Sequence, residues 1–295
     1  MKPIKHIKIK KDEKVSELVK DMGNIGFQAK KISQASEIWR EMKEDKDCKI
    51  FLGLAGAMVP GGMKNIILQL LNNTDVFVST GANLTHDLIE ALGHKHYQGN
   101  ENANDKELNK EGIDRIYDVF MKNEVYPTLE DFFEKNWDKI KYCKTIKELL
   151  WKLGELVNNE ESILTKCYKN KIPIFCPAIA DSGIGLMIWG QKSKGKNIEI
   201  DAFEDMKEII DLAWTSKKNG IFYIGGGTSK NFIQQSMQFA KGANYGIQIT
   251  TDRAEYGGSS GAELKEGISW GKMQEKAKFV NVFCDATIAL PLILS

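Results

Sequence analysis

Seven residues near the C-terminus, Glu266-Gly267-Ile268-Ser269-Trp270-Gly271-Lys272, combine the side chains that amine chemistry needs. An indole beside the lysine would exclude water, and desolvation lowers a lysine pKa because it penalises the charged form. A neutral amine is the form that enters Schiff-base chemistry. If Glu266 opens a helix, Glu266 and Trp270 share one face four residues apart, with Lys272 a partial turn further round. The same heptapeptide also reads as a plain helix with a core tryptophan and a solvated lysine, so its meaning depends on what surrounds it.

The elements around it read as α/β. Residues 13–45 carry helical spacing in two blocks, separated by Gly23 and Gly26. Short, β-rich apolar runs come next at 49–54, 75–79, 173–176, 221–224, 245–249 and 279–284, with amphipathic segments between most of them. Runs buried on both faces and alternating with helices predict a Rossmann-like parallel sheet with helices on both faces. The stretch from about 97 to 170 is charged and helical and reads as an insertion within a single domain spanning 1–295, behind a helical N-terminal part at 1–45.

The loop after each run is small, glycine-rich and dotted with hydroxyls and aspartates. These loops are Gly53–Gly62, Ser79-Thr80-Gly81-Ala82-Asn83, Asp181-Ser182-Gly183, Gly225-Gly226-Gly227-Thr228-Ser229-Lys230, Thr250-Thr251-Asp252 and Asp285-Ala286-Thr287. Parallel sheets bind ligands at the carboxyl ends of their strands. Glycines let backbone N–H groups approach a pyrophosphate, and helix N-termini favour its charge. Together the six loops favour a dinucleotide, without choosing between NAD and NADP. The usual GxGxxG fingerprint is absent, and neither Gly225–Lys230 nor Gly267–Lys272 has Walker A spacing.

Other candidates read more plainly. His94 and His96 lack a Cys or acidic partner at ligand spacing and read as surface residues, so no metal site is expected. His86 stands one turn into the helix after the Thr80-Gly81 loop, where a structural role competes with a ligand-binding one. With 41 basic and 40 acidic side chains, nothing points to nucleic acid or a membrane surface. Five cysteines without a CxxC pair, no apolar run of membrane-spanning length and no signal-peptide pattern are expected of a cytoplasmic protein.

Gly26-Phe27-Gln28-Ala29, Ser79–Asn83, the Gly225-Gly226-Gly227 loop with Lys230, Ser260-Gly261-Ala262 and above all Glu266-x-x-Ser269-Trp270-Gly271-Lys272 resemble deoxyhypusine synthase. The resemblance runs from about residue 5 to the C-terminus. It implies a homotetramer with active sites at dimer interfaces and tightly held NAD. It also implies transfer of an aminobutyl group from spermidine through a lysine imine to an acceptor amine. By position it makes Lys272 the imine-forming nucleophile, Trp270 the residue stacked along the polyamine and Glu266 the partner of a cationic nitrogen. Gly56, Thr80, Gly81, Ala82, Asp181, Gly226, Thr251, Asp252, Asp285 and Ala286 fall at NAD-contacting positions. Thr85, His86, Asn231, Gly257, Gly258 and Ser259 fall at positions lining the polyamine tunnel.

Several tunnel positions depart from the eukaryotic enzymes. Leu186 and Ser259 replace aspartates, Asn231 replaces a histidine and His86 a glutamate. Each lost charge-assisted hydrogen bond to a polycation is worth about 1.5–3 kcal/mol, unless Glu255, Glu263 or a neighbouring subunit compensates. The segments around Asp181 and Gly225 look more like the bacterial deoxyhypusine-synthase-like branch, which is associated with polyamine transfer. The altered tunnel therefore favours a small diamine such as putrescine as acceptor, giving homospermidine. The alternatives are a lysine of the hypusine-bearing translation factor, or an inactive NAD- or polyamine-binding homologue.

Overall fold

The computed structural model describes all residues 1–295. The elements in chain order are α1 (Val15–Met22), α2 (Phe27–Glu44), β1 (Cys48–Leu54), α3 (Lys64–Leu71), β2 (Val76–Ser79), α4 (Gly81–Ala91), β3 (His96–Gln98), α5 (Asp105–Lys110), β4 (Ile113–Ile116), β5 (Val119–Lys122) and α6 (Val125–Ile140). They continue with α7 (Ile146–Val157), α8 (Ile163–Lys169), β6 (Ile174–Phe175), α9 (Gly183–Ser193), α10 (Ala202–Trp214), β7 (Lys218–Ile224), α11 (Gly227–Phe239), β8 (Ala243–Thr250), β9 (Met273–Phe283) and α12 (Ala286–Ile293). All six expected apolar runs are strands, namely β1, β2, β6, β7, β8 and β9. The chain packs as two compact units, one of residues 1–56, 73–78 and 206–295, the other of 57–72 and 79–205.

The first unit is built on strands in the order β2-β1-β7-β8-β9, with β1, β7, β8 and β9 parallel to their neighbours. β7 shows why its sequence is apolar without a break, because its two faces meet different helices. Phe222 meets Trp39 of α2 edge-on at 5.5 Å, and a methyl group at Gly220 would strike Met42 of the same helix at 2.7 Å. On the opposite face Tyr223 lies against Gly53, where an added Cβ would stand 2.9 Å from its ring and 3.2 Å from Ile233 of α11. Both faces are thus dry, as a doubly covered parallel sheet requires.

The second unit includes α5 to α8 and also an antiparallel sheet in the order β3-β5-β4 that no turn signal announces. The β4–β5 hairpin closes over Tyr117-Asp118, with Tyr117 at a φ of 55°, rather than over an Asn-Gly or Asp-Gly pair. Two buried aspartates fix the helices of this unit. The Asp87 carboxylate accepts from Ser162 Oγ at 2.7 Å and from the Ile163 and Leu164 amides at 2.8 and 3.0 Å. It thereby serves the orphan donors at the start of α8. Asp205 does the same for α7, accepting from the Ile146 amide at 2.8 Å. All five cysteines are free thiols, and no helix is long and apolar enough to cross a membrane.

Candidate active site

The strand register gathers the first group of site residues. Leu54 pairs with Ile224, Ile224 with Ile249 and Ile249 with Val282, so four carboxyl ends form one edge. Gly56, Gly226, Thr251, Asp252, Asp285 and Ala286 all come immediately after that edge. Gly56 and Gly225 have φ values of 74° and 76°, in the left-handed region where glycine alone is unstrained. Gly226 is held for a different reason. A Cβ there would lie 2.4 Å from the Ser260 Cα, and Ser260 Oγ accepts the Gly227 amide at 2.9 Å to cap α11. Asp285 caps α12 through Oδ1, which accepts from the Thr287 amide at 2.7 Å. Its other oxygen and the exposed Asp252 carboxylate take no protein hydrogen bond. A cleft of about 480 Å³ opens beside this edge, lined in part by Thr250, Asp252, Arg253, Gly261, Glu263 and Asn281. Uncommitted carboxylate oxygens beside glycine-only backbone suit a ribose-bearing nucleotide.

The second unit holds Thr80, Gly81, Ala82, Asp181, Thr85 and His86, and brings them together at the starts of α4 and α9. Thr80 Oγ1 caps α4, accepting from the Asn83 backbone amide at 3.5 Å and also from its side-chain amide at 3.1 Å. Ser182 caps α9 and sits so close to Gly81 that a Cβ there would meet its own at 2.4 Å. Asp181, one residue earlier, is exposed, as is Ala82. Thr85 is buried and accepts the Ile184 amide at 3.1 Å, which ties the two helices together. Leu186, on α9, is exposed.

Lys272 lies elsewhere. The expected helix through Glu266 is a short 3-10 turn, Leu264–Ile268, and Trp270, Gly271 and Lys272 form the bend that leads into β9. Gly271 takes a φ of 69°, which breaks the helix before Trp270 can stack a full turn above Glu266. Lys272 Nζ instead stands 4.9 Å from the centre of the Trp270 ring, a cation–π contact made across the bend. The indole is 56% exposed, so one chain alone does not bury the amine as the sequence suggested. The Lys272 carbonyl accepts the Ala243 amide at 3.0 Å, which places it at the amino end of β8. The carboxyl edge lies at the other end of that strand, but the Lys272 ammonium is near enough to act on Lys230, whose Nζ bonds Gln248 and Ala262. Asn231, Gly257, Gly258 and Ser259 are all exposed, and Gly257 has a φ of 72°.

Two groups escaped the sequence. Lys230 is 1% exposed, with Nζ donating to Gln248 Oε1 at 3.0 Å and to the Ala262 carbonyl at 2.6 Å. Burial pushes its pKa down to about 8, with Glu266 opposing the shift and Lys272 adding to it, so these three charges share one neighbourhood. Its position was legible, since Lys230, Ile233 and Met237 repeat at helical spacing on the buried face of α11. The second group is around His96, which was expected at the surface. Its side chain is 5% exposed and bonded to both His86 and Glu90. Folding β3 onto the end of α4 buries it, and the sequence had no signal for that strand.

Comparison with known proteins agrees with this architecture. The family model for deoxyhypusine synthase matches residues 17–295. The chain is 42% identical over 297 residues to "Probable deoxyhypusine synthase 1" of Methanosarcina acetivorans, covering 99% of this chain and 93% of that protein. It is 43% identical over 283 residues to "Probable deoxyhypusine synthase 2" of Archaeoglobus fulgidus, covering 92% and 94%. Among solved structures, an Entamoeba histolytica protein titled "putative deoxyhypusine synthase" superimposes with a TM-score of 0.66 at 22% identity, over 99% of this chain and 95% of that one. The chain belongs to the deoxyhypusine synthase family.

Proposed function

We propose that the protein is an aminobutyl transferase that moves the butylamine portion of spermidine onto a lysine of the hypusine-bearing translation factor. The observation that carries this reading is Lys272 poised over Trp270 in a chain whose full-length archaeal relatives bear the name deoxyhypusine synthase. Those relatives favour the protein acceptor over the small diamine that the altered tunnel suggested.

NAD supplies the oxidation and re-reduction of the carbon–nitrogen bond when bound. Of the residues at NAD-contacting positions, Gly56, Gly226, Thr251, Asp252, Asp285 and Ala286 belong to the first unit and Thr80, Gly81, Ala82 and Asp181 to the second. Asp252 and the free oxygen of Asp285 would accept ribose hydroxyls, whereas α12, already capped by a carboxylate, is a poor place for a phosphate. Lys272 would attack the oxidised donor carbon and retain the aminobutyl group as an imine while 1,3-diaminopropane leaves. Trp270 orients the amine through its ring face, and Glu266 offers a carboxylate to a polyamine ammonium. The exposed Trp270 ring beside Lys272 leaves a face for a second copy to cover, which supports active sites completed between two copies, as in a homotetramer.

The test is incubation with NAD and radiolabelled spermidine, with the translation factor or with putrescine. Label should enter the factor, and borohydride should trap a butylamine adduct on Lys272. Homospermidine from putrescine without labelled factor would restore the diamine reading, and no adduct with any polyamine would leave an idle homologue.

A further inference from the structure

Lys230 is buried without a carboxylate to pair with. Its Nζ donates to Gln248 Oε1 and to the Ala262 carbonyl, both uncharged acceptors. Burying an ammonium against neutral groups costs hydration that no opposite charge returns, so stability alone does not account for it. The buried Gln248 side chain is the hub of what surrounds it. Its Oε1 also accepts from Asn281 Nδ2 at 3.1 Å, and its Nε2 donates to the Ser260 carbonyl at 2.8 Å. Asn281 Oδ1 in turn accepts the Leu264 amide at 3.1 Å. Thus α11, β8 and β9 contribute one side chain each to a polar brace that grips the backbone at residues 260, 262 and 264.

That backbone leads directly into the segment from Glu266 to Lys272. The Leu264 amide opens the 3-10 turn, where an amide has no partner within the turn itself, and Glu263 before it offers no side-chain cap. Asn281 supplies the missing acceptor. Leu264 is fully buried, with Cδ1 2.9 Å from where a Cβ on Gly246 of β8 would stand. At the far end of the segment the Lys272 amide donates to the Gly267 carbonyl at 2.8 Å, which closes the bend. Glu266 and Lys272 both act on the Lys230 charge, so the brace and the bend are neighbours. All of these residues belong to the first unit.

We propose that Lys230, Gln248 and Asn281 are positioning residues that set the 264–272 segment and so hold the Lys272 amine over the Trp270 ring, in place for attack. The proposal rests on the aminobutyl-transfer reading for the reaction, though not for the placement of the amine. The brace makes no covalent bond and gives up no proton. It removes freedom from the bend before the reaction, so it acts on the rate of bond formation more than on affinity.

Carbon-13 NMR of the protein with its lysines reductively dimethylated reads that placement directly, and Lys230 is too buried to take the label. The Lys272 methyl signal, assigned by its loss in Lys272→Arg, should lie upfield because the indole face shields it. Lys230→Met and Asn281→Ala release two different ends of the brace. In each, the signal should return to the position of an exposed lysine such as Lys265. With unlabelled protein, NAD and spermidine, the rate of forming the borohydride-trapped adduct should fall at least about 10-fold in both variants. The KM for spermidine should stay within about threefold. A brace that served stability alone would lower the urea midpoint and leave the signal and the rate of the folded protein unchanged. An unshifted Lys272 signal in the wild type overturns the proposal, as does a wild-type signal or a wild-type adduct rate in both variants. If the wild type forms no adduct, the aminobutyl reading fails, while the methyl signal still decides whether the brace sets the bend.

Discussion

Replacing Lys230 with methionine isolates a buried charge whose effect on stability has a definite sign. The ammonium is covered by the start of α11 and the 260–262 loop, and its pKa falls from 10.5 to about 8 on burial. Between those values the unfolded chain holds a proton that the folded chain has released. Stability must therefore rise with pH across that window, and the penalty for burying the charge is fully present below it. The full shift corresponds to about 3.4 kcal/mol at 1.36 kcal/mol per unit. Between pH 7.5 and 9.5 the two binding curves yield about 2 kcal/mol of that total. Urea unfolding of wild type and Lys230→Met at fixed protein concentration measures it, and the difference between them cancels the titration of other groups. Wild type should gain about 2 kcal/mol on the variant over those two pH units. A difference flat to within about 0.5 kcal/mol would mean that Lys230 is not a charge held against desolvation.

Two further substitutions test the frame of the site. Asp87→Ala leaves the Ile163 and Leu164 amides without their acceptor and should cost at least about 2 kcal/mol in urea unfolding; a loss under about 0.5 kcal/mol would show that water replaces the carboxylate. Gly226→Ala drives a methyl group into the Ser260 backbone, so it should destabilise by about 1–3 kcal/mol and weaken nucleotide binding in a fluorescence titration. Tight binding by that variant would place the nucleotide away from the glycine loop.

β1, β2, β6 and β7 were legible because they are buried almost throughout, so burial is written as a nearly unbroken apolar run, whereas β9 buries only Val280 and Val282 of its carboxyl half. The loops at their carboxyl ends were legible because Gly56 and Gly225 answer backbone demands that few other residues meet. Strands β3 to β5 were not, since they are three or four residues long, carry charges such as Asp114, Arg115 and Lys122, and turn at a tyrosine. The 3-10 bend at 264–268 carries apolar spacing too short to separate from an α-helix, and only the φ of Gly271 reveals it. The burial of His96 depends on β3 and was hidden with it. The position of Lys272 relative to the nucleotide edge depends on pairing Ala243 with Met273 and Tyr245 with Lys278, an irregular register that local sequence does not encode.

Sites shared between two copies, as proposed above, would set the arithmetic of mixed assemblies. Suppose Lys272→Ala is mixed, by unfolding and refolding together, with a variant crippled at the nucleotide edge such as Asp252→Leu. Each variant alone is silent. If each site is shared between two copies, a pair containing one of each has one site with both lesions and one with both healthy halves. Half of random pairs are of this kind, so roughly a quarter of the wild-type sites should revive. A site contained within one chain would give no revival at any mixing ratio. Revival would thus mark an active site that two chains complete together.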